Sequence, residues 1–195
     1  GSPKKKLSKS TLALFGKGNK HEKDYFKILK KDYKNFTEIG KKGSKTDQLN
    51  LTKRAMNEGK DLIYQGRLGD ESWSGFADFL VKVPKKSKFG NYSYEVIDTK
   101  ISAQPKPDHI IQLANYSDML SKIQGCMPEQ MYIVLRGNKK ISINTKESMD
   151  YYFINKKNYE IFLEGNYLEN TKPEKCNYCQ FCDYQEVCIK KWKDE

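Results

Sequence analysis

No stretch of these 195 residues approaches the roughly 18 consecutive apolar residues that a membrane-spanning helix needs, and the start carries no signal-peptide pattern. The expectation is a soluble cytoplasmic protein without a membrane partner. Internal repeats are lacking as well, which sets aside solenoids and arrays. Cysteine is nearly missing from the first 175 residues, where Cys126 stands alone. That scarcity argues against a disulfide framework distributed through the domain. Cys126, in IQGCMPE, reads as a small buried hydrophobe rather than a ligand.

What is present is enough for one core. Hydrophobic residues make up 37% and aromatics 12%, while the 31% charged fraction makes the surface strongly ionic. The length suits one globular domain with a small appendage. Gly1-Ser2-Pro3 reads as an expression scar, so the natural chain begins later or the sequence is cut from something longer. The organisation expected is a tag and basic lead-in at 1–10, a core at 11–170 and a cysteine-rich tail at 171–195. The 36 Lys and Arg against 25 Asp and Glu leave a net charge of +11. A polyanion is a natural partner for such a surface, although a lysine-rich composition also serves solubility alone.

Periodicity gives a coarse element map. Tyr25, Phe26 and Leu29 recur at helical spacing, which predicts a helix over 19–33, followed by a loop at 41–44 and a helix over 48–57 stopped by Gly59. DLIYQGRL, WSGFADFLVKV and YSYEVIDTKI read as three strands, the last two joined by the PKKSKFGN hairpin loop. Ile110, Leu113, Tyr116 and Leu120 predict a helix over 109–123; MYIVLRG is a strand, KKISINT its candidate partner, and YYFINKKNYEIFL a last helix. The fold class expected is α/β, with an antiparallel meander, a crossover helix and a central mixed sheet flanked by helices.

The chemistry concentrates where a buried strand ends in charge. In YEVIDTK, side chains two apart share a face, so Asp98 and Lys100 point the same way, and a neighbouring strand can bring Asp78 to Asp98. Paired carboxylates repel unless they are protonated, bridged by a cation or paired with a base, and Mg²⁺ accepts such oxygen ligands. Lys100 beside that cation can hold an attacking water and stabilise charge developing on a phosphodiester. The plain alternative is an exposed Asp98–Lys100 ion pair. His21, with Glu22 at a helix start, offers a further ligand or a solvated imidazole. Gln112 and Tyr116, four apart on a helix, could orient water or phosphate near Lys100, or Tyr116 could be core. Gly75 marks a place where backbone or ligand approaches closely.

Together, G-x-x-H-E at Gly18 to Glu22, G-x-x-D at Gly75 to Asp78, D-T-K at Asp98 to Lys100 and Q-L-x-x-Y at Gln112 to Tyr116 resemble the successive motifs of RecB-like nucleases in the PD-(D/E)xK superfamily. The stretch from Tyr64 to Arg136 is especially similar to nuclease domains fused to superfamily-one helicases, and the CRISPR-associated RecB-like exonucleases are related. The resemblance covers most of the chain. It implies a restriction-endonuclease-like core, with His21, Asp78, Asp98 and the Thr99 carbonyl as ligands of Mg²⁺ or Mn²⁺. It implies Lys100 as catalytic lysine, and Gln112 and Tyr116 as its support. It also implies a deoxyribonuclease, most often an exonuclease, acting on single-stranded DNA or DNA ends, with a helicase domain or subunit as partner.

Cys176, Cys179, Cys182 and Cys188 form C-x2-C-x2-C-x5-C, a spacing that can wrap one soft metal. The resemblance favours a [4Fe–4S] cluster held by Cys179, Cys182 and Cys188, whose fourth ligand would come from upstream in related chains. Here no cysteine precedes Cys126, so either that ligand is lost or Cys176 takes its place; a local Zn²⁺ site is the alternative. Tyr64, Trp73 and Phe76 are candidates for stacking on bases or for the core. A non-cleaving nucleic-acid-binding domain of a larger nuclease–helicase, or a ribonuclease on the same scaffold, are the other functional readings.

Overall fold

In the computed structural model, residues 9–70, 72–165 and 172–193 are described. Most of the expected lead-in at 1–10 lies outside them, as does the expected boundary at 170. The chain divides into two compact units, residues 18–154 and residues 1–17 with 155–195. Among the described residues no helix is long and apolar enough to cross a membrane.

Helix α1 (Lys9–Asp32) is followed by β1 (Phe36–Glu38), α2 (Lys45–Asn57), β2 (Leu62–Gly69), β3 (Ser74–Val83) and β4 (Ser93–Thr99). Then come α3 (Pro107–Gln124), β5 (Gln130–Leu135), β6 (Lys139–Asn144) and α4 (Thr145–Glu164). The six strands lie in one sheet in the order of the chain. The β1–β2 and β4–β5 pairs are parallel and the other three antiparallel. Parallel neighbours need a crossover, and α2 and α3 supply one each. Two βαβ units therefore flank the β2–β3–β4 meander, and the α/β class with its mixed, helix-flanked sheet agrees with the sequence.

Three boundaries differ from expectation for identifiable reasons. Helix α1 begins at Lys9 rather than near Asn19, running through Gly16 and Gly18; a helical glycine costs about 1 kcal/mol, which is a penalty and not a stop. Strand β1 has three residues, too few to show alternation, and exists because Phe36, Thr37 and Glu38 pair with Leu62, Ile63 and Tyr64. Thr145, read as the end of a strand, instead opens α4.

Each sheet face carries its own core. Ala55 and Met56 of α2 and Leu113, Met119 and Leu120 of α3 pack with Ile63, Leu80 and Val96. On the opposite face Tyr25, Phe26 and Leu29 of α1 pack with Leu62, Tyr64, Phe79 and Ile97. Tyr64 is only 3% exposed, its ring stacked 4.0 Å from Phe26 and 5.2 Å from Phe79. It is a core residue here and not the base-stacking platform offered as one reading.

The start of β4 shows how this sheet satisfies its backbone. Pairing with β5 begins only at Val96. Gln124, fully buried at the end of α3, pairs with the main chain there instead: Tyr94 N–H donates to its Oε1 at 2.8 Å, and its Nε2 donates to the Tyr94 carbonyl at 3.2 Å. A side-chain amide thus stands in for a missing strand, because an unpaired buried peptide group costs about 1–3 kcal/mol.

Candidate active site

The sheet comes apart at the charged residues. The β3–β4 ladder has its last pair at Phe79 and Ile97, so Asp78 and Asp98 would be opposed next. Instead the Thr99 N–H and hydroxyl both donate to Asp78 Oδ2, at 2.7 and 2.6 Å. Lys100 N–H meanwhile donates to the Val134 carbonyl at 2.8 Å. Beyond Ile97, β4 therefore stays bound to β5 while its link to β3 passes through a carboxylate. Asp98 is 2% exposed, and its Oδ2 is ion-paired with Lys100 yet accepts no well-directed hydrogen bond. The exposed ion pair offered as the plain alternative is thus buried on its acid side.

A short relay fixes the lysine. Lys100 Nζ donates to Gln112 Oε1 at 2.9 Å, and Gln112 Nε2 donates to Tyr116 Oη at 2.8 Å. An ammonium can only donate, so the amide must turn its oxygen to Lys100 and its nitrogen to Tyr116. The α3 spacing of four residues makes this possible by placing both side chains on one face. Tyr116 in turn lies against Gly75, where an added Cβ would come within 2.6 Å of its Cε1. The glycine's close approach is to this ring.

Burial dominates the electrostatics. It raises the carboxyl of Asp78 above the usual range, with further push from Asp98 and Glu22. It raises Asp98 as well, against the opposing pull of Lys100. The Tyr116 hydroxyl is pushed up to about 12, again chiefly by burial. A carboxyl whose folded pKa lies above its unfolded value of about 3.9 stabilises the fold below that value. The contribution is lost as pH rises through the folded pKa, because the unfolded chain then holds fewer protons. The melting temperature of Asp78→Asn relative to the parent is therefore expected to climb from about pH 4 to about 8 without metal and to level off above that, and Mn²⁺ is expected to stabilise the parent more at higher pH. Thermal scans across that range check it; a pH-independent difference would refute it.

Sequence and structure diverge most at α1. His21 Nε2 lies 3.3 Å from the Val134 carbonyl. A carbonyl only accepts, so Nε2 carries the proton and a neutral ring keeps its lone pair on Nδ1. The α1 charge that acts on both aspartates is that of Glu22. Sequence reasoning noted Glu22 only as the neighbour of a histidine. Gln65, which it passed over, donates to Glu22 Oε1 at 2.9 Å. A cleft of about 530 Å³ is lined by Glu22, Gln65, Tyr64, Lys23, Lys41 and Lys42, among others.

Among the described residues no three His, Cys, Asp or Glu side chains stand close enough to grip an ion as they are. The donor set of the sheet site nonetheless suits a hard cation: carboxylate oxygens predominate, and Asp98 Oδ2 is buried without a directed hydrogen bond. Ligation would require Lys100 to lean off Asp98 onto Gln112, with which it is already bonded.

In the other unit, a 3-10 helix (Asn177–Phe181) and α5 (Gln185–Lys193) carry the cysteines. Cys176 Sγ and Cys179 Sγ are 3.8 Å apart. Two thiolates sharing a tetrahedral metal with bonds of about 2.3 Å would be about 3.8 Å apart. Backbone N–H groups of Cys176 and Tyr184 donate to the sulfurs of Cys179 and Cys182 at 3.3 and 3.4 Å. The Tyr178 N–H, and then Cys179, hold the Cys176 thiol below its ordinary pKa. The first of these turns thus favours the Cys176 thiolate, the form that binds metal. Cys126, in the unit of residues 18–154, is half-buried.

Compared with known proteins, the chain matches no protein-family model and no curated protein.

Proposed function

We propose that this chain is a metal-dependent deoxyribonuclease domain of RecB-like, PD-(D/E)xK type, built on a restriction-endonuclease-like core. It would hydrolyse phosphodiester bonds of single-stranded DNA or DNA ends. The single observation that carries the reading is half-buried Asp78 beside fully buried Asp98, with Lys100 held between Asp98 and Gln112. A merely structural ion pair has no use for a second carboxylate beside it, which raises the cost of the first. The four sequence motifs supply the rest of the support.

In this reading Asp78, Asp98, the Thr99 carbonyl and His21 would hold Mg²⁺ or Mn²⁺. The ion supplies Lewis-acid stabilisation and makes water a better nucleophile at neutral pH. Lys100 orients that water and faces the charge that develops as the new P–O bond forms and the ester P–O bond breaks. Gln112 keeps the ammonium aimed, and Tyr116 holds the amide in place by accepting from its Nε2. Lys23, Lys41 and Lys42 beside the cleft favour a phosphate backbone, with little base readout. The four cysteines would hold a [4Fe–4S] cluster or Zn²⁺ as a brace for the C-terminal segment, with no part in hydrolysis.

The test is cleavage of end-labelled single-stranded and double-stranded DNA with Mg²⁺, Mn²⁺ or EDTA. Cutting that needs the metal is expected, with single strands or ends preferred. DNA binding without cutting under any metal would replace this reading with that of a nucleic-acid-binding module.

A further inference from the structure

Gln65 adopts φ 52° in the middle of β2. For a residue with a Cβ the left-handed conformation is strained, and glycine would take it freely. The conformation has a visible effect on the strand. Ile63 and Leu68 are five apart and would face opposite sides of a regular strand. Both belong to the core beneath α2 and α3, whereas Leu62 and Tyr64 belong to the one beneath α1. The chain resets its alternation at Gln65. Register places that residue opposite Asp78, between the Tyr64–Phe79 and Gly66–Ala77 pairs, at a point where the ladder itself is interrupted.

A backbone that needs φ > 0 would be served best by glycine, so the glutamine is held there for its side chain. Its Nε2 donates to Glu22 Oε1 at 2.9 Å, and also approaches Tyr64 Oη at 3.4 Å. We propose that Gln65 is a positioning residue, whose amide fixes one oxygen of Glu22 and leaves the other as a third carboxylate oxygen for the divalent ion of Asp78 and Asp98. This rests on the nuclease reading above. It adds β2 to the elements that define the ion site and a second side chain from α1, and strain at Gln65 is the cost of aiming Glu22.

The experiment is Mn²⁺ titration calorimetry on the full chain, with thermal unfolding measured without metal, for the parent, Gln65→Gly, Gln65→Ala and Glu22→Gln. Gln65→Gly is expected to unfold at the parent temperature or above it, yet to bind Mn²⁺ roughly 10- to 100-fold more weakly, the usual loss when a group orienting a ligand is removed. Glu22→Gln is expected to lose at least as much. Gln65→Ala, which keeps the strain without the amide, should match the glycine variant in affinity and unfold below it. Parent-like Mn²⁺ affinity in Gln65→Gly, or unfolding of that variant below the parent, overturns the assignment and leaves the nuclease reading standing. A parent chain that binds no Mn²⁺ overturns both.

Discussion

Asp98→Asn is expected to lower metal-dependent DNA cleavage by at least about 10³-fold, the worth of several kcal/mol of transition-state charge stabilisation, in a chain that still folds. Asparagine keeps the shape of aspartate, so the packing of β4 against α3 has no reason to change. What disappears is the charge. An amide is a poor ligand for Mg²⁺ beside a carboxylate, and Lys100 loses its acidic partner while keeping Gln112 Oε1 at 2.9 Å. Asp78→Asn should behave alike in cleavage, because its amide oxygen can still accept from the Thr99 N–H and hydroxyl. End-labelled substrate at saturating Mn²⁺, alongside circular dichroism to verify folding, decides the matter. Cleavage within about tenfold of the parent would remove Asp98 from the reaction and return the pair to a structural role.

Gly75→Ala is expected to cost about 10²-fold in cleavage without touching a charged group. The new methyl would meet Tyr116 Cε1 at 2.6 Å, closer than carbon atoms tolerate, and Tyr116 is too buried to swing into solvent. The ring must shift, Gln112 loses the partner that fixes its amide, and Lys100 is aimed less well. Misplacement by about 1 Å is enough for a loss of this size, and overpacking costs about 1–3 kcal/mol of stability. The double variant Gly75→Ala/Tyr116→Leu distinguishes this route. It should recover stability, since the clash is relieved, without recovering cleavage, since the hydroxyl that anchors Gln112 is gone. Full activity in Gly75→Ala would show that Tyr116 does not transmit its position to the lysine.

Sequence exposed the parts of this site that depend on period. Asp98 and Lys100 share a strand face, Gln112 and Tyr116 share a helix face, and the structure joins the two pairs through one hydrogen bond. The strands of the meander and the α3 helix were legible for the same reason. Relations set by tertiary geometry were hidden. Strand β1 is defined by its partner alone, the backbone reversal at Gln65 has no signature in residue type, and Gly75 announced a close approach without saying to what. Tyr64 reads in sequence as either a base-stacking or a core aromatic, and alternation alone cannot reveal that Phe26 and Phe79 enclose it. The imidazole of His21 is a ligand type by residue identity alone, while the field of Glu22 shows only where the fold brings it near other acids.

The two glutamines of α3 tie that helix to β4 at both ends, Gln112 at Lys100 and Gln124 at Tyr94. The helical segment between them rises about 18 Å, and the strand segment about 20 Å, so two different backbone geometries are matched in length. Helix and strand act as the paired arms of a caliper, in which the ammonium is placed by the difference between two spans. Lengthening α3 by one residue between the glutamines would alter that difference by about 1.5 Å and rotate one anchor by about 100°. A change of length between the ties would therefore misplace the ammonium, whereas the loops beyond either tie can change length without moving it.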